Sequence, residues 1–311
     1  MNELKENLPD ACRAAGLEPA NLRDLSQASD DLKIYSIEVP GSQAIATWRA
    51  LHAQAKRTGY WPVIAGSPAE FAGRNIEALI AKLHDVQSFL KESHDMSVDE
   101  WFLSAFAKVD FHEQEVPAEV GVIIHEAFKK YTDKITPESL KKFEETCREH
   151  EINATGWLSG EYTCLHCPAP VVTPTSDADL IGHKNILTNQ PYDTVVLMLV
   201  PTALAWEVPA YLLVGLGEQL HAPHEHAAIH KFWYEKYGAE IITSTSDTIE
   251  MLVAHPPTTA EDALELAQQQ FAYAPNIVNH GIGKTSALAS QLKNGTTWYF
   301  WWDEAGEPAA C

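Results

Sequence analysis

Residues 223–253 read PHEHAAIHKFWYEKYGAEIITSTSDTIEMLV, and this stretch contains the clearest succession of a helix and two strands in the chain. Proline suits the first turn of a helix and glycine suits its end, so the sequence predicts a helix over residues 223–237 that ends at Gly238. The β-branched residues that follow predict strands at 240–244 and 248–253, separated by a Ser-Asp turn. The core of the fold is therefore expected around a helix and a strand pair.

Further elements are predicted on both sides of this stretch. Residues 192–200 (YDTVVLMLV) are apolar enough to predict a strand buried on both faces. The other predicted elements are strands at 207–214 and 296–302 and helices at 259–271 and 283–292. Paired strands that alternate with helices indicate an α+β fold with a mixed sheet and peripheral helices.

The N-terminal part predicts a second group of elements. Strands at 32–39 and 61–65 flank a helix that runs from Ser42 to about Arg57, a spacing long enough for a βαβ crossover. Short helical pieces are predicted at 10–15 and 18–25, and longer helices at 75–90, 97–107 and 136–147. The first 150 residues are therefore expected to form an αβ lobe.

Residues 151–191 carry the weakest structural signal, since they combine several Gly and Pro residues with a Thr/Ser/Asp cluster. They are predicted to form a linker or loop excursion. The expected division is a lobe at 1–150, the linker at 151–191 and an α+β domain at 192–311.

Charge excludes one class of partner. The 311 residues hold 43 Asp and Glu against 22 Lys and Arg, a formal net charge of −21. Such a chain repels phosphate backbones, so nucleic-acid binding is not expected, whereas a basic protein partner would be attracted.

The longest uncharged apolar stretch, 194–206, is too short to span a membrane. The N-terminal residues lack the apolar segment of a secretory signal, so a cytoplasmic location is expected.

Several short C-terminal sequences carry a resemblance to a known family. They are WEVPAYL at 206–212, His226 ahead of FWY at 232–234, YGAE at 237–240, PPTT at 256–259, QFAY at 270–273 and WYFWWD at 298–303. Together they resemble the bacterial domain of unknown function 4253 family over about residues 195–303, with partial similarity in the N-terminal lobe.

The resemblance implies no activity, cofactor or catalytic residue. By analogy with other small bacterial families, it is consistent with an immunity or accessory protein for a secreted toxin. Two positions depart from the family pattern. Residues 215–218 (GLGE) lack the expected tryptophan, and Ala274 stands where a cysteine is often found.

Cysteine and histidine spacing suggests one metal site. Cys147 and His150 precede Cys164 and Cys167 by a short loop, and two such closely spaced pairs match a tetrahedral structural zinc site. His166 is an alternative ligand. In the other interpretation the cysteines are ordinary buried thiols of a reducing compartment.

A second cluster lies at the start of the helix predicted over 223–237. His226 and His230 are separated by four residues and share a helix face, as zinc ligands on helices do. Together with His224 they could bind a metal ion, with His221, Glu225 or His255 as a further ligand. Such a site would make the protein a metal-dependent hydrolase. The interpretation favoured by the sequence is that His226 packs against Trp233 or Trp206, because the full H-E-x-x-H pattern is absent.

The aromatic run at 298–302 places rings on both faces of the predicted strand. The strand is therefore either central and buried, or one of its faces contacts something external.

We predict a non-enzymatic acidic binding protein, of the immunity type, that neutralises a basic bacterial toxin by direct docking. The metal-dependent hydrolase is the alternative, and a structural adaptor is a third. The residues predicted to contact the partner are Trp302, Asp303, Glu304, Glu207, Glu218 and Asp247.

Overall fold

The computed structural model describes residues 7–25, 32–73, 85–106, 173–212 and 221–302. The chain divides into two compact units. Unit 1 contains Met1–Met96, Ser176–His255 and Thr297–Glu304, and unit 2 contains Ser97–Thr175, Pro256–Thr296 and Ala305–Cys311. The predicted boundary at residue 150 lies outside the described residues.

Unit 1 contains a seven-stranded sheet. Its strands are β1 (Arg23–Asp24), β2 (Tyr35–Val39), β3 (Trp61–Ile64), β6 (Val195–Val200), β7 (Ala239–Ser244), β8 (Thr248–Val253) and β9 (Thr297–Trp301). The spatial order is β1-β2-β6-β3-β7-β8-β9. All pairs are antiparallel except β3 and β7, so the sheet is mixed. A separate two-stranded sheet joins β4 (Lys184–Asn185) to β5 (Gln190–Pro191). The α+β prediction is confirmed.

The described helices of unit 1 are α1 (Leu8–Ala14), α2 (Ala44–His52), α3 (Ala55–Thr58), α4 (Pro68–Gly73), α5 (Val86–Asp95), α7 (Val208–Tyr211) and α8 (Pro223–Tyr237). Short 3-10 turns lie at Pro19–Asn21, Gly41–Gln43, Asp177–Asp179 and Ala205–Glu207. None of the described helices is long and apolar enough to cross a membrane.

Unit 2 is helical in its described part. It contains α6 (Val98–Phe106), α9 (Ala260–Tyr273), a π-helix (Ile277–Ile282) and α10 (Thr285–Leu292). The hydroxyl of Thr259 accepts a hydrogen bond from the N–H of Asp262 at 3.1 Å and so caps α9. Trp101 of α6 lies 6.4 Å from Tyr273 of α9, measured between ring centroids.

Strand β6 is an interior strand of the sheet, and every one of its residues is buried. It inserts between β2 and β3 and pairs antiparallel with both, so these two strands run in the same direction without touching each other. Trp48 of α2 donates its indole N–H to the carbonyl of Pro62 at 2.8 Å. The sheet thus combines strands from both sides of the predicted linker, with α2 fixed to β3.

One predicted strand is wrong. Residues 207–212 form the end of a 3-10 turn and helix α7. Proline at the first helical turn favours this start, since its fixed φ suits a helix and its missing N–H is not needed there. Every residue of α7 is buried, and a short fully buried helix has the same continuous apolar pattern as a buried strand. Val214 lies outside the described residues.

Other predictions differ in their bounds. Residues predicted as a helical piece at 18–25 form a 3-10 turn followed by strand β1. The predicted helix at 75–90 falls partly outside the described residues, and helix α5 continues to Asp95. The predicted helix at 136–147 lies wholly outside them.

Candidate functional site

Helix α8 and strand β9 build the aromatic core of unit 1. The ring of Trp233 stacks on Phe300, with centroids 5.3 Å apart and planes 7° apart. Trp298 meets the same Trp233 ring edge-on at 5.7 Å. These rings are fully or almost fully buried, so the β9 face that carries residues 298, 300 and 302 is core.

The other face of β9 is more open. Strand β9 is the last strand of the sheet, and Tyr299 is 38% exposed while Trp301 is half-buried. Of the two interpretations of the aromatic run, the structure favours an edge strand over a central one. Trp302 was predicted to contact a partner, but it is only 1% exposed. Its backbone N–H donates a hydrogen bond to the backbone carbonyl of Asp247 at 2.9 Å. It therefore anchors the chain to the β7–β8 turn.

His226 and His230 lie on the buried face of α8, as their spacing predicts. Their ring centroids are 6.3 Å apart. His226 lies 5.9 Å from Trp302 and His230 lies 5.9 Å from Trp233. Burial, assisted by the charge of His221, lowers the pKa of His230 to about 3, so this ring is neutral at physiological pH.

The third member of the predicted ligand set faces elsewhere. The Nδ1 atom of His224 lies 3.4 Å from a carboxylate oxygen of Glu92 on α5, at the surface. His221 approaches His226 with ring centroids 5.2 Å apart. Among the described residues, no group of three His, Cys, Asp or Glu side chains has the arrangement needed to hold a metal ion. The packing of His226 and His230 against tryptophan rings is the arrangement that the sequence favoured, although Trp302 replaces the expected partner of His226.

The predicted cysteine–histidine zinc site, formed by Cys147, His150, Cys164 and Cys167, lies outside the described residues. The same holds for three predicted partner contacts, Glu218, Asp303 and Glu304. These assignments stay predictions.

Two predicted acidic contacts are described. Glu207 accepts the hydroxyl of Thr202 and is half-buried at the start of α7. Asp247 accepts hydrogen bonds from the hydroxyls of Thr245 at 2.8 Å and Thr248 at 3.2 Å in the β7–β8 turn. Both carboxylates therefore have a local structural role, and both retain some exposure to solvent.

Glu250 has a buried carboxyl group that no motif of the sequence marks as functional. Its two oxygens accept the N–H groups of Ile181 at 2.6 Å and Gly182 at 2.9 Å. Burial raises the pKa of Glu250, and the two backbone hydrogen bonds act in the opposite direction. The partners are almost 70 residues away in the chain, so no local pattern predicts the contact.

The surroundings of Glu250 are tightly packed. It pairs across strands with Thr243, next to an irregular register in β7. A side chain at Gly182 would place its Cβ 2.3 Å from Thr243 Cγ2 and 2.8 Å from Glu250 Oε2. The position therefore requires glycine, and the Ile181–Gly182 segment is held against the sheet. Because Glu250 is only 2% exposed, the contact is suited to anchoring a loop and not to catalysis on a bound substrate.

A cluster on α5, α8 and the 3-10 turn before α7 brings together residues of the WEVPAYL segment and the helix. Lys231 Nζ lies 5.4 Å from the centroid of the Trp206 ring and 2.9 Å from His94 Nδ1. The His94 and Trp206 rings meet edge-on at 5.6 Å. Trp206 is therefore covered by a cation and a second ring, which fixes α5 to α8.

An open cavity of about 660 Å³ lies beside β1 and β2. Its polar lining includes Arg23 and Glu38, and its apolar lining includes Leu25, Phe71 and Val196. Arg23 and Glu38 are both exposed, so their charges meet solvent.

Fold and site together define an α+β protein with a mixed sheet, in which His226 and His230 pack against buried tryptophan rings. Residues 196–303 match the family model of a domain of unknown function, DUF4253, which confirms the resemblance of the C-terminal sequences. The match extends from β6 to the end of β9. Comparison with curated proteins and with solved structures gave no match.

Proposed function

We propose that this chain is a non-enzymatic acidic binding protein that docks a basic protein partner, and that it neutralises a bacterial toxin in the manner of an immunity protein. The observation that carries the proposal is the net charge of −21. Opposite charge on a partner accelerates encounter and favours correct orientation. An electrostatic mechanism of this kind needs a surface excess of carboxylates and few competing cations.

The distribution of charge supports this mechanism. Residues 151–311 contain 18 acidic and only 5 basic side chains. At least three of those five lysines interact within the described part of the chain. Lys184 donates to the carbonyl of Ala178 at 2.8 Å, Lys231 lies beside His94 and Trp206, and Lys236 lies 5.0 Å from the Tyr237 ring centroid. Acidic groups therefore dominate the surface field of this half.

The residues proposed to contact the partner are the carboxylates of Glu207, Glu218, Asp247, Asp303 and Glu304. Trp302 is not among them, because its side chain is buried. Glu207 and Asp247 are half-buried and hydrogen-bonded locally, so they offer fixed negative charges. Fixed charges cost less conformational entropy on binding than flexible ones.

The test begins by capturing the partner. The tagged full chain is exposed to lysate of the organism that encodes it, and the protein retained in near-equimolar amount is identified, expressed and purified. Its dissociation constant and association rate are then measured against NaCl from 50 to 500 mM. We expect a partner of positive net charge and an association rate that falls at least tenfold over this range.

Two neighbouring exposed residues on α8 provide matched charge variants. Glu235→Lys is expected to lower the association rate and Lys236→Glu to raise it, since long-range steering depends on net charge. The proposal is contradicted by an acidic partner, by an association rate that is independent of salt and of both substitutions, or by the lack of any equimolar partner.

A further inference from the structure

The hairpin of β4 and β5 presents two neighbouring apolar side chains to solvent. Ile186 is 70% exposed and Leu187 is 91% exposed. Within the described part of the chain they are the most exposed of the large apolar residues, and they are adjacent at the tip of one turn. Exposed apolar residues that lie together commonly mark interaction sites, unlike single scattered ones.

The tip has a well-defined conformation. The side-chain oxygen of Asn185 accepts the N–H of Leu187 at 3.0 Å and that of Thr188 at 3.1 Å. Asn189 adopts a left-handed conformation with φ of 53°, which asparagine tolerates better than most residues. Its N–H bonds the carbonyl of Asn185 at 2.8 Å. The turn therefore holds Ile186 and Leu187 in place without burying them.

The base of the hairpin is fixed to the sheet of unit 1. The Glu250 carboxyl binds the N–H groups of Ile181 and Gly182, immediately before β4. After β5, Tyr192 donates its N–H to the carbonyl of His183 at 3.0 Å and its hydroxyl to Glu70 at 3.0 Å. A loop that is held this firmly loses little conformational entropy when a partner binds its tip.

Acidic residues occupy the base. Asp177, Asp179 and Asp193 are exposed, and Glu70 is exposed beside Tyr192. Arg49 forms an ion pair with Asp177, and Lys184 is bound to the carbonyl of Ala178. The hairpin is therefore an apolar tip on an acidic base. This combination complements an apolar pocket with a rim of Lys and Arg, and it disfavours an anionic membrane surface.

We propose that the β4–β5 hairpin is the docking element for the basic protein partner, with Ile186 and Leu187 inserted into an apolar pocket on that partner. This inference rests on the proposed function and adds an apolar docking element to the carboxylate contacts proposed there. A few buried apolar anchors carry most of the affinity of a typical protein interface, while charged residues around them set orientation. The acidic base of the hairpin supplies that orientation.

The test compares Leu187→Ser and Ile186→Ser with a matched control, Leu204→Ser, at a leucine of the same unit that is 37% exposed. The purified partner from the capture experiment is the probe, at 150 mM NaCl. We expect each hairpin substitution to weaken the dissociation constant by tenfold or more and the control to change it less than twofold. Thermal unfolding of all three variants should match that of the wild type, because none of these side chains is buried.

The outcomes separate this inference from the proposed function. Salt-dependent binding that is unchanged by both hairpin substitutions overturns the inference and leaves the proposed function in place. Two other results also overturn it. One is Leu187-dependent sedimentation with neutral phosphatidylcholine vesicles, and the other is a Leu187-dependent dimer of this chain in analytical ultracentrifugation. Failure to find any basic equimolar partner removes the proposed function itself.

Discussion

Replacing Glu250 by glutamine is expected to lower the free energy of unfolding by about 2–3 kcal/mol. The carboxyl oxygens accept two backbone N–H groups, from Ile181 and Gly182, and an amide has only one oxygen to offer. One buried donor therefore loses its partner, which typically costs about 1–3 kcal/mol. Urea unfolding at pH 4, followed by circular dichroism, measures the change. Glu235→Gln, at an exposed position on α8, is the matched control and should stay within about 0.5 kcal/mol of the wild type.

The effect of Glu250→Gln should depend on pH. Burial raises the pKa of Glu250 in the folded state, so the proton is held more tightly there than in the unfolded chain. The stability that this proton contributes is complete below the ordinary carboxyl pKa and is lost as pH rises through the raised value. The difference in unfolding free energy between wild type and variant should therefore shrink from pH 4 upward. A difference that grows with pH would show that the carboxylate form is favoured instead.

Acid should destabilise the wild type through His230. Its folded pKa of about 3 lies far below the ordinary value of 6.5, because the ring is buried. As pH falls below 6.5, this histidine binds a proton in the unfolded chain but stays neutral in the folded chain. The free energy of unfolding therefore falls by about 1.4 kcal/mol per pH unit. By pH 4.5 the wild type should have lost about 3 kcal/mol relative to His230→Gln, which cannot titrate there.

The comparison is made by urea unfolding of both proteins at pH 7.0, 6.0, 5.0 and 4.5. His255→Gln is the matched control, because it removes an exposed histidine and leaves His230 in place. If the gap between wild type and His230→Gln does not change with pH, His230 takes up a proton as readily in the folded chain as in the unfolded one, and the burial described here is wrong.

Local signals explain which parts of the fold could be predicted. Helix α8 begins and ends where its sequence indicates, because Pro223 occupies the first turn and Gly238 takes a left-handed φ of 61° at the end. Such positions are determined by neighbouring residues alone, so they can be read from the sequence.

Other elements could not be predicted, because their type or position depends on tertiary packing. The segment at 208–212 is apolar throughout, so its sequence pattern alone does not distinguish a short buried helix from a buried strand. The aromatic run of β9 was compatible with a central or an edge strand until the sheet order was known.

The candidate site follows the same division. The helical spacing of His226 and His230 was sufficient to place both on one face, whereas their aromatic neighbours, Trp302 and Trp233, depend on how β9 and α8 pack. The anchor between Glu250 and Gly182 joins residues 68 apart, and the exposure of Leu187 depends on the whole loop. Neither leaves a periodic signal in the sequence.

The central claim is that the chain acts by docking and not by catalysis. The most direct measurement titrates the purified partner with increasing amounts of this chain and records the partner's own activity. Docking predicts a linear loss that ends at one equivalent of chain per partner, with activity restored when the complex is dissociated in high salt. Complete and lasting inactivation by a tenth of an equivalent would contradict the account, because it would require the chain to turn over.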